Sequence, residues 1–375
     1  MKAILKFILI LLLVVVIAVG GLLSWLTATE FSPAPTESVE VGRPGEGGAV
    51  PTGDVLTVLN WNVGYAGLGR NEDFFMDGGK RSKPDEPDVV YAYLDGIMKT
   101  IREQAPDLVL LQEVDADSGR TYEIDERPYL ETDMDNTAFA MNYSCPFVPI
   151  PIPPMGKVNS GLLTTTRYDV ESAERISLPC PFSWPLRIAN LKRCLLVSYL
   201  PLEGSDKQLV LVNLHLEAYD DGEGKIAQTK VLNDFLQAEY AKGNYVIAGG
   251  DFNQIFSSAD TGAYPAQEGK WQCGEIDVSA FPEGWQFLMD ARVPSCRSLD
   301  QPYAGADKEG FQYYLIDGFI VSANVRIEQL ETLDAGFVNT DHNPVLMTVT
   351  PRACRCREYL YKGGQTDGFC KRALQ

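Results

Sequence analysis

Histidine occurs only twice in this 375-residue chain, as His215 in Val212-Asn213-Leu214-His215-Leu216 and as His342 in Asn339-Thr340-Asp341-His342-Asn343-Pro344. Its unperturbed pKa lets this side chain exchange a proton near neutral pH. Each imidazole stands beside an apolar run, so each is predicted to project from a strand end, where active sites of layered α/β folds gather. Other polar groups stand in or at the ends of similar runs. Asn62 follows Leu59-Asn60-Trp61, Glu113 follows Leu110-Leu111-Gln112, and Asp251 and Asn253 follow Ala248-Gly249-Gly250. Asp317 interrupts Leu315-Ile316-Asp317-Gly318-Phe319-Ile320. A carboxylate in so apolar a run is costly unless it pairs or binds a metal. Such a set could hold a cation, activate a water and stabilise charge developing on a phosphate. Taken singly, each has a plainer explanation: a hydrogen-bonded core histidine at 215, a capped turn at 342, a surface strand end at 113, a turn residue at 251. Their recurrence at strand ends favours the chemical reading.

The elements that must position these groups are legible in outline. Val55 to Trp61 reads as a buried strand, and Val90, Leu94, Ile97, Met98 and Ile101 mark one face of a helix that Pro106 ends. Asp107 to Gln112 is a second strand. Leu195 to Leu202 and Gln208 to Leu216 flank a short polar loop and predict a hairpin. A helix from Lys225 to Lys242, with Ile226, Leu232, Phe235 and Leu236 towards the core, is stopped by Gly243. Tyr245 to Ala248, Tyr313 to Val321 and Val345 to Thr350 complete the clear strands. Hairpins mixed with crossovers predict an α/β fold of mixed sheets covered by helices rather than a doubly wound parallel sheet.

The first thirty residues are a different material. Phe7 to Leu26 carries no charge and is preceded by Lys2 and Lys6. About twenty apolar residues span a bilayer core of ~30 Å, and flanking lysines favour the cytoplasmic side. The run exceeds the usual apolar stretch of a cleaved signal, and Thr27-Ala28-Thr29 is a poor cleavage site. We therefore expect residues 1–6 as a short cytoplasmic end, 7–26 as an uncleaved transmembrane anchor, 27–54 as a Pro/Gly-rich linker, 55–350 as an extracytoplasmic catalytic domain, and 351–375 as a Cys-containing tail. The eight cysteines, at 145, 180, 194, 273, 296, 354, 356 and 370, suit disulfides or buried thiols in an exported chain. A net charge of -19 argues against general affinity for nucleic acid, whose binding usually needs a basic surface.

Six segments in order, Leu59-Asn60-Trp61-Asn62, Leu111-Gln112-Glu113-Val114, Asn213-Leu214-His215-Leu216, Gly250-Asp251-Phe252-Asn253, Ile316-Asp317-Gly318-Phe319 and Thr340-Asp341-His342-Asn343-Pro344, carry a resemblance. In them the chain resembles the endonuclease/exonuclease/phosphatase (DNase I-like) superfamily of metal-dependent phosphoesterases. The resemblance implies a four-layer sandwich, two mixed sheets face to face with helices outside. It also implies Glu113 as the main ligand of Mg²⁺ (or Mn²⁺), Asn62 as a helper to metal and phosphate, and Asp341 as a metal or supporting carboxylate. Asp251 would orient or deprotonate the attacking water. Asn253 and His215 would donate to the phosphate, and His342, held by Asp317, would face it. Asn159 falls where the family often has a phosphate-contacting Asn. A histidine at the position of His215 is similar to the DNase I-like, sphingomyelinase and inositol-phosphate phosphatase branches rather than to exonuclease III.

Arg70, Lys80, Arg81 and Lys83 gather near the first segment with Phe74, Phe75 and Met76 among them. They suit a loop contacting an anionic or lipid-like substrate, or a solvated loop balanced by Glu72, Asp73 and Asp77. The expected substrate is a phosphate ester: a lipid head group, a small ester or nucleic acid. A DNase I-like nuclease and an inactive surface binding protein are the alternatives; the membrane is met through the N-terminal helix, and no protein partner is predicted.

Overall fold

Apolar runs buried on both faces build the centre of each sheet. The computed structural model describes residues 1–42, 47–131, 134 and 136–352. In chain order these form α1 (Lys2–Ala28), β1 (Thr36–Val39), β2 (Val41–Gly42), β3 (Leu56–Asn62), α2 (Pro87–Gln104), β4 (Leu108–Asp115) and α3 (Arg127–Leu130). Next come β5 (Asn136–Val148), β6 (Gly156–Thr166), β7 (Ser172–Ser177), β8 (Cys194–Pro201), β9 (Gln208–His215), α4 (Glu223–Ala241) and β10 (Tyr245–Asp251). The last strands are β11 (Gln254–Phe256), β12 (Gly274–Ile276), β13 (Gln286–Leu288), β14 (Cys296–Arg297), β15 (Tyr313–Tyr314), β16 (Asp317–Val321), β17 (Val325–Thr332) and β18 (Val345–Pro351).

Two seven-stranded sheets result, in the orders β1-β7-β8-β9-β10-β16-β13 and β17-β18-β3-β4-β6-β5-β2. Each is mixed, with one parallel pair, β9 with β10 and β3 with β4, inside otherwise antiparallel neighbours. Parallel neighbours need a crossover, and here α4 and α2 supply it. Val58, Leu110, Leu211 and Ile247 meet in the core between the sheets. Leu94 and Ile97 of α2 pack on the outer face of one sheet, and Leu232 and Leu236 of α4 on that of the other. The layers are therefore helix, sheet, sheet, helix, as expected. Gly249 permits the close approach of the sheets, since a Cβ there would lie 2.8 Å from Leu110 Cδ1.

Polar residues also tie the sheets together. Gln112 Nε2 donates to Asn60 Oδ1 at 2.9 Å and to Asn213 Oδ1 at 2.8 Å, while Asn213 Nδ2 donates to the Leu111 and Leu163 carbonyls at 3.0 Å. Asn60 Nδ2 reaches the Gly250 carbonyl at 3.0 Å. A buried amide that satisfies so many groups is expensive to remove. Asn213→Leu is expected to lower unfolding free energy by roughly 3 kcal/mol in a denaturant titration, because several buried partners lose their bonds.

Several expectations need revision. The stretch after α1 is extended but not free of the fold: β1 pairs with β7 and β2 with β5. Tyr313 to Val321 is two strands, so Asp317 opens β16 rather than interrupting a continuous one. Ile226 is 68% exposed and lies off the core face of α4. Among the described residues Cys145, Cys180, Cys194, Cys273 and Cys296 are free thiols, and Cys354, Cys356 and Cys370 lie outside them.

Candidate active site

The two parallel pairs deliver their carboxyl ends to one place. Asn62 closes β3, Glu113 lies near the end of β4, His215 closes β9 and Asp251 closes β10. Asp251 is in register with His215 on one side and with Asp317 on the other, which sets three functional side chains abreast. Glu113 stands on a bulge between β4 and β6, where the register shifts between Leu111 and Val114, and its φ is +55°. A non-glycine residue there is strained, and such strain is retained where it aims a side chain.

Asp251 is the hub. Its Oδ2 accepts from Asn62 Nδ2 at 3.0 Å and lies 3.5 Å from His215 Nε2 and 3.8 Å from His342 Nε2. Its Oδ1 accepts from the Asn253 backbone N–H at 2.9 Å. Burial, then the negative charge of Asp317, push its carboxyl up to about 7. Asn62 Nδ2 also donates to Glu113 Oε1 at 3.0 Å, while Asn62 Oδ1 accepts from Gly64 N–H at 3.0 Å. Asn62 thus turns its nitrogen towards both carboxylates and clamps them, instead of presenting its oxygen beside Glu113. Gly64, at φ +52°, lets the chain pass Asp341, whose Oδ1 would lie 2.9 Å from any added Cβ.

The two histidines have opposite electrostatics. Burial opposes charge on His342, but Asp317, Cys296 and Asp341 overcome it and raise its pKa well above the ordinary value. The bond between His342 Nδ1 and Asp317 Oδ2 is 2.8 Å, and Nε2 lies 3.8 Å from Asp341 Oδ2. His215 is held well below the ordinary value by burial, then by Arg193 and His342. The surroundings thus favour the charged form of His342 and the neutral form of His215. Its Nδ1 is buried without a hydrogen-bond partner.

These groups form the floor of one cleft of about 490 Å³ that Glu113, His215, Asp251, Asn253, Asp341 and His342 line. Among the described residues two clusters bring potential metal-binding atoms within 4.8 Å of one another, Asp251 with Asp317 and His342, and Cys296 with Asp341 and His342. Glu113 belongs to neither cluster. Burial and the nearby Asp341 charge nonetheless raise its pKa, with Arg120 opposing. That guanidinium is committed to Asp115, at 3.0 and 2.8 Å. Buried carboxylates gathered this closely, with the nearest guanidinium already paired, suit a divalent cation.

Other expected residues sit elsewhere. Asn159 Oδ1 accepts from Ser144 Oγ at 2.8 Å and its Nδ2 donates to the Asp117 carbonyl at 3.3 Å; it does not line the cleft. Neither do Lys80 and Arg81. Arg81 is taken by Glu72 at 2.6 Å and Asp85 at 2.5 Å. What the loop offers the cleft is Phe74, Phe75, Met76 and Asp77. Asn142 on β5 was not foreseen: it is buried, lines the cleft, and its Nδ2 has no hydrogen-bond partner. No motif surrounds it, so only its position in the fold reveals it.

A sequence model described as Endonuclease/Exonuclease/phosphatase family matches residues 59–336. The chain belongs to that family. A solved endonuclease/exonuclease/phosphatase from Beutenbergia cavernae is similar at a TM-score of 0.52 and 18% identity, covering 80% of this chain and 72% of that one. ANGEL2, described as a 2',3'-cyclic phosphatase, is similar at a TM-score of 0.51 and 13% identity, over 84% of this chain and 98% of its own. Comparison with curated proteins gives no sequence match. At these identities the structural likeness is one of fold, and it is the DNase I-like fold. Family membership makes the chain a phosphoesterase or nuclease in the broad sense.

Proposed function

We propose that this family member is a membrane-anchored, extracytoplasmic, divalent-metal-dependent phosphoesterase. It hydrolyses phosphodiester or phosphomonoester bonds by in-line attack of water. The observation that carries the reading is the convergence of Asp251, Glu113 and the Asp317–His342 pair at the carboxyl ends of two parallel strand pairs.

Glu113 and Asp341 would hold the cation, Mg²⁺ by preference for oxygen ligands, with Asn62 orienting Glu113. When bound, that ion supplies charge neutralisation at the ester oxygens. Asp251, with a pKa near neutrality, accepts the proton of the attacking water at Oδ2. Asn62 and the Asn253 backbone fix the orientation of that carboxylate. Imidazolium His342, locked by Asp317, stabilises charge growing on the phosphoryl oxygens. Neutral His215 and the amides of Asn253 and Asn142 supply further donors. Asn253 Nδ2 spends one hydrogen on the Leu216 carbonyl and keeps a second.

Retention of the N-terminal helix is supported by its packing. α1 is long and apolar enough to cross a membrane, and Leu26 near its end is only 3% exposed, among Tyr143, Val148 and Ile188. Glu30, just beyond, pairs with Arg187 at 2.8 Å and Lys192 at 3.1 Å. Cleavage near Thr27 would remove Leu22 and Leu26 from this cluster.

The test is hydrolysis of bis(para-nitrophenyl) phosphate by the full-length protein in detergent. Turnover is expected with Mg²⁺, loss of turnover with EDTA, and recovery when excess Mg²⁺ is restored. Equal turnover with and without the chelator rejects metal dependence.

A further inference from the structure

The cleft that ends at Asp251 and His342 begins at the membrane helix. Leu23 and Leu26 of α1 line it, as do Phe75, Val148, Ile188 and Leu191 from three separate loops and strands of the catalytic domain. Two of its lining side chains are large, apolar and exposed, Ile150 at 55% and Leu186 at 66%, and close to them in sequence Ile152 is 93% exposed and Trp184 54%. Trp184 Nε1 donates to Thr27 Oγ1 at 3.1 Å, so this rim lies beside the end of the apolar helix. Trp at such a level is the usual companion of a bilayer interface, and contiguous exposed apolar surface marks a membrane or ligand contact.

Charge within the cleft points the same way. Its wall carries the cations Arg120, Arg193, Lys270 and Arg297, and each is already engaged. Arg120 is held by Asp115, Arg193 by Glu217 at 3.2 Å, and Lys270 by Asp300 at 2.6 Å. Arg297 donates to the carbonyls of Leu68, Gly69 and Ser298. A nucleic-acid strand or a multiply phosphorylated head group brings several negative charges, and a largely apolar wall on which three of these four cations are already ion-paired answers few of them. One phosphate at the floor with a long hydrocarbon portion along the wall does fit. A volume of about 490 Å³ lies within the usual range for a small-molecule cleft, room for the phosphate and the adjoining part of the lipid with the rest of its chains left outside.

We infer that the substrate is a phosphodiester lipid taken from the leaflet in which the outer end of α1 sits. Its chains enter between α1 and the rim of Ile150 and Leu186, and its single phosphate reaches Asp251 and His342. Water adds to phosphorus, the P–O bond to one of the two alcohols breaks, and that alcohol departs with a proton; no other reactant is consumed. The anchor is then part of the substrate path as well as a tether. This inference rests on the phosphoesterase reading above.

The experiment uses the full-length protein with Mg²⁺ and four probes: vesicles of dioleoyl phosphatidylcholine and phosphatidylglycerol, their dihexanoyl counterparts, bis(para-nitrophenyl) phosphate, and a single-stranded oligonucleotide. Burial of added methylenes predicts kcat/KM at least about tenfold higher for dioleoyl than for dihexanoyl lipid. Ile150→Asp and Leu186→Asp replace exposed side chains, so folding should survive, and a melting curve verifies it. Each is expected to lower the ratio of dioleoyl-lipid to nitrophenyl-ester turnover about tenfold. Hydrolysis of the nitrophenyl ester alone, ratios unchanged in both variants, or faster cleavage of an oligonucleotide than of any lipid would overturn the lipid assignment and leave phosphoesterase activity standing. Failure on every ester would reject the phosphoesterase reading and the lipid assignment with it.

Discussion

Alanine at position 342 is expected to lower kcat by about a thousandfold, far more than a modest fall in melting temperature could explain. The loss follows from where the ring stands. His342 is buried at 4% exposure, its Nδ1 is 2.8 Å from Asp317 Oδ2, and its Nε2 is 3.8 Å from both Asp251 and Asp341. A fixed positive charge in a water-poor site acts on developing phosphoryl charge far more strongly than in water. The ring also partners the buried Asp317 carboxylate, so its loss should cost some stability, while the bond from Trp61 Nε1 to the backbone carbonyl of residue 342 survives in the alanine protein. Asp317→Asn should cost less, since the ring stays while its proton is held less firmly, and the rate should then fall at lower pH than in the native protein. His215→Ala should also cost less, because burial and Arg193 already keep that ring neutral. Steady-state kinetics with thermal melts decide the matter: a kcat for the His342→Ala protein within tenfold of the native value would remove the imidazolium from the mechanism.

The parts of this arrangement that were legible from sequence share a physical cause. β3, β4, β9 and β10 are central, buried strands, so they are almost uniformly apolar until a polar residue appears at the end. That transition marked Asn62, Glu113, His215 and Asp251. β5 and β6 escaped notice because their inward positions use small or polar residues such as Ala138, Ala140 and Thr164, which carry little hydrophobic signal. β1 joins by edge pairing with β7, a property of its partner rather than of its own residues. The orientation of Asn62 was equally hidden. It depends on the bulge at Glu113, and nothing local in Leu111-Gln112-Glu113-Val114 signals a left-handed φ at a glutamate. Arg81 illustrates the reverse error. Its charge suggested an anionic ligand, but Glu72 and Asp85 neutralise it, and the neighbouring Phe74, Phe75 and Met76 are what reach the cleft.

Asp251→Asn should be at least as damaging, with kcat/KM reduced about a thousandfold or more, and its pH dependence should identify the cause. Asparagine keeps the shape of the side chain and an acceptor for the Asn253 N–H, which Asp251 Oδ1 now meets at 2.9 Å. What it cannot do is take a proton from water. In the native protein burial and the Asp317 charge raise this carboxyl to about 7. A base must be deprotonated to act, so native kcat/KM should fall as pH drops below the pKa of Asp251. A bound divalent cation favours the carboxylate form, so the fall should begin at or below about 7 in the presence of Mg²⁺ and move upward as the ion becomes limiting. The Asp251→Asn protein should lose this acid limb along with its rate, while KM changes little, because the substitution touches proton transfer more than binding. Retention of the native acid limb in that variant would assign the limb to another group, and retention of a tenth of the native rate would show that water is activated elsewhere.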